Sequence, residues 1–351
     1  MMQILEFDPK KEFIQSVQLN LNYWLDNLLD APKLDQANLR RAVLYGCRYK
    51  ETIDFSLKLM RNSMPLIEKR GDFNEWLEII DRLKNPEKSL EKIDQGLLFI
   101  FQGDLEFQSN FFLAAIDSFQ KAKQVGDEIN NMEIVINSSI GLCQSSWGLR
   151  NFDLAKKYGE DLLNMEEDEF FQLAKIALID NILGMISLSE NKLKKATRYF
   201  QAAKRIYIKN KDKLGEMRIQ NNLAIIDIAK ENNKSALKRL NQAENFFSIN
   251  GFDADMIKIR MSKGFMYYRM GNLISAKYIF SNAIPENWEY SATQSHIAWG
   301  DFVLGAIELT QNNHEESRIY FGKSLKYWEE SNNTDMVLLT KNVIKLFSAD
   351  N

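Results

Sequence analysis

The 351-residue chain carries 45 basic and 48 acidic side chains, a formal charge of −3, so it has no global attraction to nucleic acid or to an anionic membrane. Only 5 prolines and 16 glycines argue against a turn-rich all-β fold, and the two cysteines, Cys47 and Cys143, match no metal or redox spacing and read as buried, reduced thiols. No run approaches the roughly 18 apolar residues of a membrane span, and the opening MMQILEFDPKKEF has early acids and no apolar core, so the chain reads as cytoplasmic, with no membrane partner.

In chain order, residues 1–10 read as an irregular lead. Lys11 to Leu29 places Phe13, Val17, Leu21, Trp24, Leu25 and Leu28 at helical spacing, and Asp30-Ala31-Pro32 ends that helix. Leu34 to Tyr49 predicts a second helix, opening near Asp35. From there one pattern recurs, a helix, a tight turn and a second helix. Anchored on a residue early in each second helix, the units fall at Trp76, Ala115, Ala155, Ala196, Ala236, Ala276 and Ser317, at spacings of 39 to 41 residues. Four places on stand Ile80, Phe119, Gly159, Phe200, Leu240, Phe280 and Phe321; seven places on stand Leu83, Ala122, Leu162, Ala203, Ala243, Ala283 and Ser324.

Twelve places before the anchor, six of the seven units have a small residue, Gly103, Cys143, Gly184, Ala224, Gly264 or Gly305; the first has Met64. Turn residues precede the anchors at Lys69–Asp72, Arg150-Asn151, Glu190-Asn191, Glu231–Asn233, Met270–Asn272 and Gln311–Asn313. Asn, Gly and Asp there tolerate the left-handed backbone that ends a helix. Small residues at a fixed place mean that two helix backbones approach closely. One such pair cannot bury its apolar face alone, so the pairs stack into a one-dimensional superhelix. Thr334 to Phe347 predicts an amphipathic last helix that seals the final unit.

The stretches GDLEFQSNFFLAAIDSFQKA and LGMISLSENKLKKATRYFQAA carry this ladder most fully, and from about residue 50 to residue 347 it resembles the tetratricopeptide repeat. That family's period is about 34 residues, shorter than the spacing here. Units this long resemble the sensor arms of bacterial signal-transduction ATPases, and MPLIEKRGDFNEWLEIIDRL is similar to the opening of such an arm. The resemblance implies an all-α, right-handed superhelical solenoid of antiparallel helix pairs. Residues 1–50 would be divergent capping helices, 51–333 seven pairs, and 334–351 a capping helix and tail.

It further implies a concave face lined by the first helix of each pair. One lining row is then Arg61, Ile100, Ile140, Asn181, Asn221, Met261 and Phe302; a second is Pro65, Asp104, Gln144, Met185, Ile225, Phe265 and Ala306. A third, Glu68, Phe107, Trp147, Leu188, Ile228, Tyr268 and Leu309, is almost wholly apolar and reads as packing between helices. Asn181 and Asn221 fall at equivalent places in adjacent units, where an amide can bond a peptide backbone in both directions. Met261, Phe265, Tyr268, Trp299 and Phe302 form an aromatic, Met-bearing wall toward the C-terminal end. The Lys/Asn/Arg pattern by which some family members grip a C-terminal carboxylate is not reproduced.

Motifs of chemistry are missing. The sequence has no GxxxxGK[ST], GxSxG, HExxH or CxxC run. His296 sits in a predicted helix and His314 at a predicted helix start, each without a cysteine partner, so no enzyme, cofactor or metal is expected. The run Glu166 to Glu169 reads as a solvated loop. Between Lys192 and Arg218, Lys192, Lys194, Lys195, Arg198, Lys204, Arg205, Lys209, Lys211, Lys213 and Arg218 face only Asp212 and Glu216. The ordinary reading is a charged outer face that keeps the array soluble; the alternatives are an acidic protein surface or nucleic acid as ligand.

These features point to a non-catalytic interaction scaffold, a regulatory or adaptor subunit of a bacterial signalling or defence assembly that binds a protein or peptide segment in its groove. One alternative is a peptide or small-ligand sensor that changes superhelix pitch. Another is nucleic-acid binding through residues 192–218.

Overall fold

The computed structural model describes residues 8–28, 36–70, 73–83, 90–164, 169–284, 294–331 and 333–348, and every regular element among them is a helix. The predicted Asp30–Pro32 break, Asp35 and the Gly71-Asp72 turn lie outside the described residues. The chain divides into two compact units, one of residues 1–109 and 113–141, the other of 110–112 and 142–351. The first holds α1 (Pro9–Asn27), α2 (Gln36–Gly46), α3 (Ile53–Asn62), α4 (Met64–Arg70), α5 (Phe73–Leu83), α6 (Lys92–Gln108), nearly all of α7 (Phe112–Glu128) and the first part of α8 (Met132–Gly148). The second holds the rest of α8, then α9 (Phe152–Leu163), α10 (Glu169–Ser189), α11 (Leu193–Lys209), α12 (Lys213–Ala229), α13 (Asn233–Asn250), α14 (Asp253–Arg269), α15 (Leu273–Asn282), α16 (Gln294–Thr310), α17 (His314–Glu330) and α18 (Thr334–Ser348).

In the first unit Asp8 caps α1, accepting from the Lys10 and Lys11 amides at 2.9 and 3.3 Å, with Pro9 at the first helical position. The first repeat departs from the rest. Its opening helix is broken at Ser63, because Pro65 has no N–H to donate and its ring excludes the carbonyl four residues back. Trp76 takes the place of the small anchor, 1% exposed and edge-on to Phe101 with ring centroids 6.2 Å apart.

The anchors Ala115, Ala155, Ala196, Ala236, Ala276 and Ser317 are fully buried. What they allow is a ring lying on a backbone. A Cβ added to Gly103 would stand 2.7 Å from the Phe119 ring, one at Gly184 2.5 Å from Phe200, one at Gly264 2.8 Å from Phe280 and one at Gly305 3.0 Å from Phe321. The pairings vary in volume together. Ala224 accompanies Leu240, and where Gly159 replaces the ring, the glycine's place is taken by Cys143, whose thiol donates to the Ala155 carbonyl at 3.1 Å. Packing at interior density explains this trade, since neither a void nor an overlap is tolerated at the crossing.

The turns follow the predicted positions. Arg150, Asn191, Glu231, Gly271 and Asn312 all have φ between 58° and 74°. At each, the next residue's amide bonds the carbonyl five back, as in Asn232 to Asp227 at 2.8 Å and Asn313 to Glu308 at 2.9 Å. This is the Schellman closure of a helix end.

A row that the sequence reading passed over lies nine residues before the anchors. Glu106 accepts from the Ser118 hydroxyl at 2.7 Å, Asp227 from Ser235 at 2.7 Å and Arg239 at 2.8 Å, and Glu308 from Asn313 at 2.8 Å and Lys277 at 2.6 Å. Each carboxylate ties one helix to its neighbours, and Glu106 and Glu308 are buried. Within the second unit, Arg150 Nε lies 3.1 Å from Asp335 Oδ2. The turn after α8 thus touches the first turn of α18, so the intervening pairs curve round until the two ends of this unit meet.

Two stability changes follow. Gly184→Ala should cost about 1–3 kcal/mol by overpacking against Phe200, read as a lower urea midpoint. Adding Phe200→Leu should recover much of it, because Ala224 with Leu240 is the same pair made natively. Glu231→Gly should raise stability by about 1 kcal/mol by relieving a left-handed backbone that carries a Cβ; an unchanged melting temperature would show that the turn is unstrained.

Candidate functional site

In the second unit the first helix of each pair packs on the next such helix: α10 on α12, α12 on α14 and α14 on α16. Two cross-links show it at atomic detail. Asn222 Nδ2 on α12 donates to Asn181 Oδ1 on α10 at 2.8 Å, and Arg218 on α12 meets Asp255 on α14 through Nη2 at 2.9 Å and Nε at 3.2 Å. Helices in mutual contact line the inside of a curved array, which puts α10, α12, α14 and α16, the helices that carry the second-unit members of the predicted rows, on that side.

The rows differ in what they present. Trp299 and Phe265 are 44% and 39% exposed. Gln144, Asn181, Met185, Asn221, Ile225 and Phe302 are half-buried. Met261 is buried in the core shared by α14, α15 and α16, with Tyr268 packed against it, so these two serve the core more than the wall. Trp299 stacks edge-on to Phe302 and Trp328, with centroids 5.8 and 6.2 Å apart. The two equivalent asparagines are not in equivalent states. The Asn181 carbonyl is occupied by Asn222, whereas Asn221 Oδ1 is buried and has no hydrogen-bond partner among the described residues.

Charged groups that the lining rows did not include complete this face. Burial alone would raise the Asp255 carboxyl, but the Arg218 guanidinium, with Lys258 behind it, holds it below its ordinary value. Burial and then Lys258 push His296 down to about 3, against the pull of Asp255. His296 therefore favours the neutral imidazole, near an ion pair whose Asp255 is buried and whose Arg218 is half-exposed. The signal was in the sequence: Arg218 and Lys258 are 40 residues apart and Asp255 and His296 are 41 apart, two further rows of the same period.

In the first unit, Ile140 is buried, Ile100 half-buried, and Asp104 half-buried on α6. The predicted basic patch is exposed at all of its residues but one. Lys194, Lys195, Arg198, Arg205, Lys209 and Lys211 are exposed, whereas Lys204 is half-buried on another face of α11. Glu166 to Asp168 lie outside the described residues. Among the described residues no group of His, Cys, Asp and Glu has metal-binding geometry, and no helix is long and apolar enough to cross a membrane. Cys143 is buried, and burial pushes its thiol up to about 12, which removes it as a nucleophile near neutral pH.

Burial, reinforced by Glu68, pushes the Asp104 carboxyl up from 3.8 to about 8. Such a group binds its proton more tightly in the folded state. Its stabilising contribution is complete below 3.8 and is lost progressively as pH rises toward about 8. Asp104→Asn, which keeps an uncharged side chain, should flatten the fall in melting temperature across that window. An unchanged slope would mean that the carboxyl is solvated.

No family model matches the sequence, and no curated protein matches it. Solved structures do. A Rap protein complexed with Competence and Sporulation Factor superposes with a TM-score of 0.63 at 12% identity, covering 96% of this chain and 98% of that one. NprR in complex with its cognate peptide NprX gives 0.53 at 14%, covering 95% and 85%. A signal-transduction ATPase with a tetratricopeptide-repeat sensor from Pyrococcus horikoshii gives 0.50 at 14%, covering 94% of this chain and 50% of that one. At these identities the likeness concerns the fold, and the fold is that of tetratricopeptide-repeat proteins, built here from units of about 40 residues in place of about 34.

Proposed function

We propose that this chain is a non-catalytic scaffold that holds a protein or peptide segment against the inner helices of its second unit, as a regulatory or adaptor subunit of a bacterial signalling or defence assembly. The observation that carries the reading is Asn221 Oδ1, buried and unpartnered on the inner face. A buried acceptor left without a donor costs about 1–3 kcal/mol, and a rotamer change that turned the Asn221 amide toward a bound backbone N–H would recover that. Around it the inner face offers what an extended segment needs. Asn181 and Gln144 supply further amide groups, and Phe265 and Trp299 expose apolar rings. The peptide in the NprR complex belongs to that protein; it supports the class of ligand here and not its sequence. In this reading residues 1–50 and α18 cap the array.

The test is a selection of random displayed peptides on the full chain, followed by affinity measurement on the winners. Asn221→Leu keeps the bulk and removes the acceptor. It should weaken the selected peptides about ten-fold or more, with helicity and melting temperature retained. Selected peptides that bind Asn221→Leu as well as the parent would overturn the reading.

A further inference from the structure

On another side of the second unit, between α11, the start of α12 and α13, a cavity of about 740 Å³ opens. Its walls carry four cations, Lys204, Lys213, Lys238 and Arg239, against a single lining carboxylate, Glu216. Two of the four are spoken for. Lys213 pairs with Glu216 at 2.8 Å, and Arg239 donates to Asp227 at 2.8 Å and to the side-chain Oε1 of Gln220 at 2.6 Å. Lys204 and Lys238 have no ion pair or hydrogen bond among the described residues. Lys204 is half-buried, and burial depresses its ammonium, with Arg239 and Lys213 adding to that effect and Glu216 opposing it. A partly desolvated cation beside other cations is an unfavourable arrangement that an anion relieves.

Met217, Phe246 and Ile249 add apolar side chains to the lining; Met217 is buried and Ile249 is 75% exposed. Gln242 and Asn245 add side-chain amides on α13. The cations are spread over three helices and do not converge on one point. The N-terminus of α12 is already closed by Asp212, whose carboxylate accepts from the Gly215 amide at 2.8 Å. A single phosphate needs convergent donors; several carboxylates on a chain that also carries apolar side chains match a long basic cavity lined also by apolar side chains. Gln220 lines this cavity while Asn221 lies on the inner face, and successive helical residues point about 100° apart, so the two surfaces are separate.

We propose that this cavity is a second docking site, and that it takes an acidic, partly apolar segment of a partner protein, with carboxylates on Lys204 and Lys238 and an apolar side chain against Met217, Phe246 and Ile249.

Fluorescence anisotropy with the full chain tests it, using a labelled peptide of alternating glutamate and leucine, its glutamine twin and a labelled single-stranded oligonucleotide. The glutamate peptide should bind at least about ten-fold tighter than the glutamine twin. Lys204→Met with Lys238→Met retains the apolar stems and should remove that difference, with the melting temperature unchanged or raised. Asn221→Leu should leave it intact, which separates this site from the inner face. Equal binding of the two peptides, or undiminished binding by the double methionine variant, would overturn the proposal. An oligonucleotide that binds more tightly and displaces the glutamate peptide would overturn it in favour of nucleic acid.

Discussion

A phenylalanine ring laid on a glycine backbone decides how closely α6 meets α7, α10 meets α11, α14 meets α15 and α16 meets α17. At these four crossings the aromatic face replaces a side-chain layer, and the fully buried alanine or serine anchor beside it leaves room for the approach. The other two crossings with a small residue obey the same volume rule with different pieces, Ala224 with Leu240 and Cys143 with Gly159. Repeating the crossing every 39 to 41 residues makes the angle between successive pairs repeat as well. In the second unit that regular increment brings Arg150 against Asp335.

Curvature then separates two surfaces of different chemistry. On the inside, helices touch, and their polar groups are drawn into mutual contacts such as Asn181 with Asn222 and Arg218 with Asp255. Asn221 Oδ1 on α12 has no such partner among the described residues, nor have the Ser145 and Ser146 hydroxyls on α8. On another side, the cavity between α11, the start of α12 and α13 is lined by lysines and by Met217. There Lys213 and Arg239 have partners, and Lys204 and Lys238 have none among the described residues.

Much of the fold was legible in the sequence because it rests on volumes and turn chemistry. Gly184 with Phe200, and Asn191 or Gly271 at a left-handed turn, announce themselves by residue type, since few alternatives fit. The first repeat was less legible. Trp76 and Pro65 were visible as departures, but the break at Ser63 depends on how a proline's missing amide is accommodated in this fold. The inner face was legible in part. Of the residues expected on it, Phe265 and Trp299 are exposed and Asn221 is half-buried, whereas Met261 is buried. A periodic row states the direction in which a residue leaves its helix, but not how far the neighbouring helix reaches over it.

The sequence by itself determined the all-helical repeat, its period, its turns and the positions of its close contacts, because each depends on residues a few places apart or on side-chain size. Only the tertiary structure decided the state of each polar group. Asn181 and Asn221 are identical in the repeat, yet one carbonyl has a donor and the other has none. Lys204 and Arg205 are neighbours in one basic run, yet one lines a cavity and the other is exposed. Partnership and burial depend on atoms brought from about 40 residues away by the stacking of units, and no single stretch of chain contains them.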